Sequence, residues 1–454
     1  MRTPPLNPQR AGLPGGRLTR LLLALVLLNA WPQAPWAATL GEVYEMARSS
    51  DPQFAAARAA ALAGREKAVQ GRAGLLPSVS LGGTLRSTHE VGGLAGEPVR
   101  DYTTHNWNLS ASLPVLRRAN VEAWRQGELQ ALLADQQLRL AEQDLLLRVA
   151  RAYFDVLQAH EVLASTGAQR SAFAQQLTQA RRAFEVGMAP VTDVNEAQAR
   201  SDLAVAQEIA AGNDIALKRS VLEKSIARAV PPLAGLDQQS AVVLYDAAQL
   251  QAWLAQAPES ALPVAVAVTA EQVARREVAR QQAGHLPTVD LVLSHNDNAA
   301  SRFVSPGNSR QTAVGFEVSI PLYQGGGIDS RVREAVANLE RAGQDLANAR
   351  AQARLDANQA HLGVLSGQAL HQALRQAQAS GEVQVRSTQR GFEVGTRTRS
   401  DVLNATQQLF ATRKDLAAAR YQTLVAGLQL KAAAGLLSEA DLIGMDRLLT
   451  AAPR

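Results

Sequence analysis

The chain has 454 residues, no cysteine and only 4% aromatic residues, whereas alanine, glutamine, leucine and arginine are abundant. The absence of cysteine excludes a disulfide framework, a thiolate metal site, a cysteine nucleophile and a lipid-modified N-terminal cysteine. The formal net charge of +5 falls to +1 without the four arginines of residues 1–37, so nothing electrostatic favours nucleic acid as a partner.

Residues 1–37 have the pattern of a secretory signal peptide. Arg17 and Arg20 precede the apolar run 21–28, and prolines and small residues follow, with cleavage expected after Ala37. The apolar run is too short for a transmembrane helix, and no run of about 18 apolar residues occurs later in the chain. The mature protein is therefore predicted to be exported, and to be either soluble or inserted in a membrane as a closed β-barrel.

Two kinds of pattern predict the elements beyond residue 37. Short segments of alternating apolar and polar residues indicate strands, and long proline-free segments rich in Ala, Leu, Gln, Glu and Arg indicate helices. In chain order, the sequence predicts a helix over 38–76, a β-hairpin over 77–115, long helices over 116–229 with a turn at 184–192, a mixed region and helix over 230–284, a second β-hairpin over 285–323, long helices over 324–435 with a turn at 392–400, and a mixed tail over 436–454.

Each predicted hairpin consists of two strands of about ten residues, the length of a tilted membrane-spanning strand. In the first hairpin, Trp107, Leu109 and Leu113 alternate with Asn and Ser residues, which gives one apolar and one polar face. The stretches 87–104 and 297–310 are rich in Gly, Asn, Ser and Pro. They are expected to be the loops that connect the strands of each hairpin.

The sequence beyond the signal peptide is an internal duplication. Residues 73–81 match residues 283–291, and Phe-Glu-Val-Gly at 184–187 recurs unchanged at 392–395. The spacing between the copies is too long for the repeat unit of a solenoid. The chain is therefore predicted to contain two copies of one structural half, each with a hairpin and long helices.

Four strands per chain are too few to close a barrel in a membrane, because about eight is the small end of the observed range. Unpaired strand edges cannot face lipid, so identical subunits are expected to pool their strands. A cyclic homotrimer would supply twelve strands, and symmetric closure is the usual arrangement of identical subunits. Two or four subunits satisfy the same requirement.

Several segments resemble the TolC family of outer-membrane channels, and the resemblance extends over nearly the whole chain beyond the signal peptide. The most specific stretches are Gly-His-Leu-Pro-Thr-Val-Asp-Leu at 284–291, Ser-Ile-Pro-Leu-Tyr-Gln-Gly-Gly at 319–326, Ala-Tyr-Phe-Asp-Val-Leu at 152–157, and Phe-Glu-Val-Gly-Thr-Arg-Thr-Arg-Ser-Asp-Val-Leu-Asn-Ala-Thr at 392–406. Such segments occur in the order that the family has them.

The resemblance implies a membrane α+β protein. It would be a homotrimer with a 12-stranded β-barrel in the cell outer membrane and a long α-helical barrel in the periplasm. Residues 230–262 and 436–454 are candidates for a mixed region around the middle of this tunnel. The implied partners are outer-membrane lipid, a periplasmic adaptor protein and an inner-membrane ABC or proton-driven transporter, and no cofactor is implied.

Within this family, we favour an outer-membrane channel for type I protein secretion, with multidrug efflux as the alternative. A smooth tunnel would serve both cargoes. A hypothesis from a different class is a periplasmic coiled-coil adaptor protein. An adaptor would account for the long helices, but not for four amphipathic strands flanked by polar loops.

The candidate site is a periplasmic gate at the two helix–turn–helix tips. Gly187 and Gly395 suit the left-handed position that ends a helix, and they mark the tip turns. By resemblance, Arg397 and the pair Thr192–Asp193 would hold neighbouring coils shut. Asp401 would face the tunnel, so that a trimer presents three carboxylates that attract cations.

Phe392 and Asn404 depart from the family pattern. The best-known members have a tyrosine and a second aspartate at these positions, so one gate hydrogen bond and one charged ring are in doubt. A purely structural hypothesis remains open for the two aspartates. Asp193 precedes Glu196 by three residues, which is a capping-box pattern, and Asp401 can equally be an N-cap.

Catalytic and metal-binding motifs are not found in the sequence. The seven histidines are scattered, without the His-Glu-x-x-His pattern of zinc peptidases. There is no Gly-x-Ser-x-Gly nucleophile elbow and no dinucleotide-binding glycine pattern. The protein is therefore not expected to be an enzyme or to bind a metal ion.

Overall fold

The computed structural model describes residues 37–91, 99–236, 246–299 and 308–450, so nearly all of the predicted signal peptide lies outside the described residues. In chain order, the elements are α1 (Leu40–Ser50), α2 (Pro52–Ala73), β1 (Ser78–Glu90), β2 (Arg100–Leu116), α3 (Arg118–Glu185), α4 (Val191–Ile226), β3 (Gly235–Leu236), α5 (Ala247–Ser260), α6 (Leu262–Gln282), β4 (Thr288–Ala299), β5 (Asn308–Ser319), α7 (Gly327–Glu393), α8 (Arg399–Ala433), α9 (Glu439–Asp446) and β6 (Leu449–Thr450).

The duplication is visible in the order of these elements. Each half has two short helices, a β-hairpin, one very long helix and a helix of about half that length. The long helices α3 and α7 contain 68 and 67 residues, which corresponds to about 100 Å each. The helices α4 and α8, with 36 and 35 residues, return along roughly half of that length.

The single helix predicted over 38–76 is wrong, because the segment forms two helices, α1 and α2, that meet at Asp51. The Asp51 carboxylate accepts a hydrogen bond of 2.8 Å from the backbone N–H of Phe54 and so caps α2. Pro52 follows at the first helical position, where its missing N–H costs nothing. The second half has the same break, since α5 ends at Ser260 and Pro263 lies in the first turn of α6.

The strands are longer than predicted, and the loops predicted over 87–104 and 297–310 are wrong at both of their ends. Residues 87–90 and 100–104 belong to β1 and β2, and residues 297–299 and 308–310 belong to β4 and β5. Cross-strand polar pairs extend the ladder there, for example the Asp297–Arg310 ion pair at 3.1 Å. Such pairs lack the apolar alternation from which strands were predicted.

Four of the strands form one antiparallel sheet in the order β1-β2-β4-β5, so β1 and β5 are its two edges. On the apolar face, cross-strand neighbours include Leu81 with Leu109 and Leu291 with Phe316. On the polar face, Ser80 pairs with Ser110, and Asn108 donates a hydrogen bond to Asn296. Because side chains alternate along a strand, the sheet separates apolar residues from hydroxyl and amide residues.

The helices pack side by side with very close backbone contacts. A Cβ atom on Gly64 would lie 2.3 Å from the Ala134 side chain, and one on Gly127 would lie 2.4 Å from the Lys67 carbonyl oxygen. These glycines bring α2 within short distance of α3. Near the sheet α3 packs on α2 and α6, and further along it packs on α4 and α8. Among the described residues, no helix combines the length and apolar character needed to cross a bilayer.

The largest apolar core lies around the middle of α3. There α1, the end of α4, α8 and α9 surround buried side chains of α3 that include Tyr153 and Phe154. The Tyr153 hydroxyl donates to the carbonyl oxygens of Ala38 (3.0 Å) and Ala234 (2.8 Å), and β3 pairs with β6 beside it. This mixed region therefore also includes α1, which the sequence had assigned to a continuous N-terminal helix.

Candidate functional site

The two tips, defined as residues 184–193 and 392–401, have the same turn geometry. Gly187 and Gly395 have φ angles of +74° and +78°, a conformation that favours glycine. In the first tip, the Gly187 N–H donates to the carbonyl oxygen of Phe184 (2.9 Å), and the Met188 N–H donates to the carbonyl oxygen of Ala183 (2.7 Å). The second tip has the equivalent two hydrogen bonds, from Gly395 to Phe392 and from Thr396 to Gly391, so each long helix ends in a Schellman turn.

The second tip is closed by a capping box at the start of α8. The Thr398 hydroxyl accepts from the Asp401 N–H (3.2 Å), and the Thr398 N–H donates to the Asp401 carboxylate (2.9 Å). These hydrogen bonds, together with the nearby Arg397 guanidinium, hold the pKa of Asp401 below its usual value. The prediction that Asp401 is itself the N-cap is wrong, because the helix begins two residues earlier, at Arg399.

The first tip has no such cap. Pro190 occupies the cap position of α4, and it offers no side-chain acceptor. The capping box predicted for Asp193 and Glu196 is wrong, because α4 begins at Val191 and Asp193 is already in its first turn. The Asp193 carboxylate instead lies 3.5 Å from the Nε atom of Arg399 in the other half of the chain.

Arg399 links the two tips, and the sequence analysis missed it. Its side chain is only 7% exposed, and its guanidinium carbon lies 4.7 Å from the centre of the Phe392 ring. Phe392 has no hydroxyl to donate a hydrogen bond, and the face of its ring contacts this cation. One sequence signal was available: an arginine at the first position of a helix opposes the helix dipole, so it needs a partner.

Further hydrogen bonds join the two halves just above the tips. Ser400 donates to Glu196 at 2.9 Å, and Arg200 donates to Asn404 at 2.9 Å and also to Gln407. Asn404 therefore accepts a hydrogen bond from a cation of the other half. An aspartate at this position would place a carboxylate there, whereas asparagine adds no charge.

The predicted gate residues are divided between two places. Arg397, Asp401 and Asn404 line one polar groove of about 480 Å³ between α7 and α8, whereas Asp193 and Phe392 meet at Arg399. Within the described residues of the chain, no ion pair joins Arg397 to Asp193. Thr192 is exposed at the start of α4, and its hydroxyl makes no hydrogen bond to any described residue.

A sequence profile described as "Outer membrane efflux protein" matches residues 43–228 and 253–436, which include both tips and both long helices. The chain belongs to the outer membrane efflux protein family. It is therefore a channel-type protein of the outer membrane that extends into the periplasm, and the predicted TolC-family membership and location are confirmed. In the described ranges, no cluster of three or more His, Asp or Glu residues is placed to hold a metal ion.

Similar proteins agree with this assignment over most of the chain. Outer membrane protein TolC of Vibrio cholerae is 30% identical over 429 residues, which cover 94% of this chain and 97% of that protein. Proteases secretion protein PrtF of Dickeya chrysanthemi is 29% identical, with 96% of each chain covered. Alkaline protease secretion protein AprF of Pseudomonas aeruginosa is 32% identical, with 88% of this chain and 85% of that protein covered.

Solved structures show the same fold at much lower identity. The Campylobacter jejuni CmeC outer membrane channel superposes with a TM-score of 0.77 at 12% identity, covering 98% of this chain and 97% of that one. The Vibrio cholerae outer membrane protein VceC superposes with a TM-score of 0.75 at 17% identity, covering 87% and 96%. The predicted combination of long helices and four strands per chain is confirmed.

Proposed function

We propose that the chain is one subunit of a homotrimeric duct that exports protein in a type I secretion system. The observation that carries this proposal is the four-stranded sheet with two unpaired edges, one apolar face and one polar face. Open strand edges are very unfavourable in lipid, so three copies would pair their edges into twelve strands. Lipid would cover the apolar face, and the polar face would line the passage.

The helical layer supports the same assembly. Helix α4 packs mainly on α3 and helix α7 mainly on α8, so α4 and α7 form the two sides of the layer. Both sides expose large apolar residues: Ile209 and Leu217 on α4 are 61% and 62% exposed, and Leu362 and Leu370 on α7 are 62% and 50% exposed. Packing α4 of one subunit on α7 of the next would bury them and continue the sheet's ring as a tunnel of helices.

The chemistry of the polar face favours a polypeptide cargo. Serine, threonine and asparagine side chains of β1, β2 and β4 dominate this face, so its wall has hydroxyl and amide groups and few charges. An unfolded chain of mixed charge passes such a wall without strong ion pairing. Two of the relatives described above are named for the secretion of proteases, and one of them is matched over 96% of both chains.

We assign the entrance of the duct to the tips, far from the sheet along the 100 Å helices, with a periplasmic adaptor and an inner-membrane ABC transporter as partners. Three copies of Asp401 around the threefold axis would attract cations at this entrance. Asp193, Arg399 and Phe392 would hold each pair of tips together in the closed state. Arg397 and Thr192 do not contact each other within the described part of one subunit, so we assign their contact to the boundary between neighbouring subunits.

The duct is tested by its assembly and conductance. We expect the protein purified from outer membranes in detergent to migrate as a heat-modifiable trimer and to conduct ions in planar bilayers. A matched control is the protein lacking residues 78–116 and 288–319, which removes both hairpins and should neither enter the outer membrane nor conduct. A parent protein that is monomeric and soluble without detergent would contradict the proposal.

The cargo is tested in a host that lacks its own outer-membrane channel. The chain would be expressed with the ABC transporter and adaptor of a type I protease system, and secreted protease activity would be compared with the minimum inhibitory concentrations of several drugs. We expect secretion to be restored. Restored drug resistance without any secreted protease would instead assign the chain to efflux.

A further inference from the structure

A groove of about 810 Å³ lies between α1 and α9 in the mixed region of the subunit. We propose that this groove binds a linear aliphatic polyamine, with one terminal ammonium group at each end of the groove and the hydrocarbon chain between them. The volume is in the range that small-molecule sites have. All the residues that line the groove belong to one chain, so the proposal depends neither on the trimer nor on the gate.

The helices α1 and α9 run antiparallel, and the contacts between them define the two ends of the groove. At the first end, the Gly41 N–H donates to the Asp446 carboxylate at 3.2 Å. At the second end, the Arg48 guanidinium lies 2.8 Å from the Glu439 carboxylate. Glu439 and Asp446 are the first and last residues of α9. They are separated by about 10 Å along the helix and lie on nearly the same side of it.

The first end has two carboxylates, those of Glu42 and Asp446. Glu42 accepts a hydrogen bond of 3.1 Å from the Thr39 N–H, and Asp446 accepts its hydrogen bond from Gly41. Within the residues that the structure describes, no ion pair engages either carboxylate. Backbone N–H groups at the start of a helix carry only partial positive charge. The first end therefore keeps an excess of negative charge, which an ammonium group would neutralise.

The second end has one cation for three carboxylates. The Arg48 guanidinium lies 2.8 Å from Glu439, 3.1 Å from Glu142 and 3.6 Å from Glu45. A single guanidinium leaves an excess of about two negative charges among these groups. A second cation is therefore favoured at this end as well, and Glu45 and Glu439 line the groove where it would bind.

The hydroxyl of Tyr44 is a separate indication of a ligand at the second end. Tyr44 lines the groove, is only 2% exposed, and its hydroxyl makes no hydrogen bond to any described residue. Burial raises the pKa of this hydroxyl, and the nearby carboxylates of Glu142 and Glu439 raise it further. A buried polar atom without a partner indicates a missing one. The phenol oxygen can accept a hydrogen bond from an ammonium group that these carboxylates hold.

The walls between the two ends are apolar, and they are formed by Ala38, Met46, Pro231, Leu442 and Ile443. Burial of methylene groups against such walls is favourable, so a hydrocarbon chain fits between the two charged ends. Arg228 is the one cation among the described residues that line the groove. Its charge opposes the binding of a polyamine.

The spread of the carboxylates distinguishes a polyamine from a metal ion. A divalent metal ion needs several oxygen ligands that converge on one point. Among the described residues, no group of three or more acidic or histidine side chains is placed in that way. Two pairs of carboxylates at opposite ends of an apolar groove instead match a ligand whose charges are also separated by hydrocarbon.

The first test compares ligands on the unmodified protein, purified from outer membranes in detergent and studied by equilibrium dialysis at 0.15 M salt. 1,8-Diaminooctane, when extended, reaches both ends of the groove, whereas 1,4-diaminobutane has the same charge and about half the length. We expect 1,8-diaminooctane to bind at least about tenfold more tightly than 1,4-diaminobutane and than octylamine, which has the same chain and one charge. Dialysis against micelles without protein corrects for uptake by the detergent.

The second test removes one end of the groove at a time. Glu439→Gln and Asp446→Asn should each weaken the binding of 1,8-diaminooctane about fivefold to tenfold, towards the affinity of octylamine. The matched control Glu66→Gln removes the same charge from an exposed position of α2, outside the groove, and should change the affinity less than twofold. Arg228→Ala should strengthen binding, because it removes the opposing charge.

Several outcomes would overturn the polyamine site. Equal affinities of the unmodified protein for the two diamines would show that the groove does not bind both ammonium groups, and this result requires no variant. Equal affinities of Glu439→Gln, Asp446→Asn and Glu66→Gln would place the bound amine elsewhere. Displacement of 1,8-diaminooctane by an equal concentration of Mg²⁺ would assign the carboxylates to an inorganic cation instead.

Discussion

The two tips of the molecule have the same backbone and opposite side-chain roles. Both end a long helix with a glycine at positive φ, and both continue into a helix whose first turn contains an aspartate. Asp401 forms its hydrogen bonds within its own helix end, through the capping box with Thr398. Asp193, at the equivalent position, is 3.5 Å from Arg399 of the other half.

Two substitutions between the copies account for this difference. Thr398 in the second tip is replaced by Pro190 in the first, which removes the hydroxyl that would pair with the aspartate N–H. Arg399 is replaced by Val191, so only one of the two tips supplies a cation. The duplication therefore produced one self-contained tip and one tip that depends on its neighbour.

The largest expected effect concerns the assigned entrance ring and separates the two aspartates. Asp401→Asn keeps an acceptor for the capping hydrogen bond but removes the charge, and we expect the concentration of a trivalent cation that blocks conductance to rise at least about tenfold. Asp193→Asn is the matched control, because its charge already pairs with Arg399. Equal block of both variants and of the parent in planar bilayers would remove Asp401 from the entrance ring.

The second prediction tests the link between the tips. Arg399→Leu removes a partly exposed ion pair and a cation–π contact, together worth up to about 1.4 kcal/mol, so the ratio of open to closed channels should rise by up to about tenfold. Single-channel open probability measures this ratio. Adding Asp193→Asn to Arg399→Leu should change it little further, because the two side chains act as a pair. Fully additive effects would show that the contact does not hold the closed state.

The third prediction compares the caps. Thr398→Ala should destabilise the first turn of α8 by about 1 kcal/mol, because it leaves the Asp401 N–H without its side-chain acceptor. Pro190→Ala should leave the first turn of α4 nearly unchanged, since no side-chain cap exists there. Amide hydrogen exchange of the two turns measures both effects. Equal changes in the two turns would mean that the caps do not distinguish the tips.

The smallest expected effect is a dependence of the stability of the first turn of α8 on pH. The pKa of Asp401 is lowered in the folded protein, so its contribution to stability is present above the carboxyl's ordinary pKa and is lost as the pH falls through the lowered value. Protection of the first turn of α8 should therefore be constant from pH 7 to about pH 5 and decrease near pH 3. In Asp401→Asn this decrease should be absent, and its persistence would assign it to another group.

Sequence patterns predicted the helices and strands more completely than they predicted the contacts between these elements. Period-two alternation located the four strands of the larger sheet, but it missed their polar ends, where pairs such as Asp297 with Arg310 replace apolar residues. The proline-free composition located the long helices, while the break at Asp51 was missed because Pro52 fits the first position of a helix. Arg399 was missed for a different reason: its partners Phe392 and Asp193 are respectively 7 and 206 residues away in the chain.

By itself, the sequence determined the duplication, the strands, the long helices and the family, because each of these depends on local composition, periodicity or the comparison of one segment with another. Only the tertiary structure decided which of the two equivalent aspartates belongs to the capping box of its own helix and which pairs across the halves. The difference depends on whether the fold places a cation from a distant part of the chain, here Arg399, beside the aspartate. Helix ends are set by neighbouring residues, whereas ion pairs are set by packing.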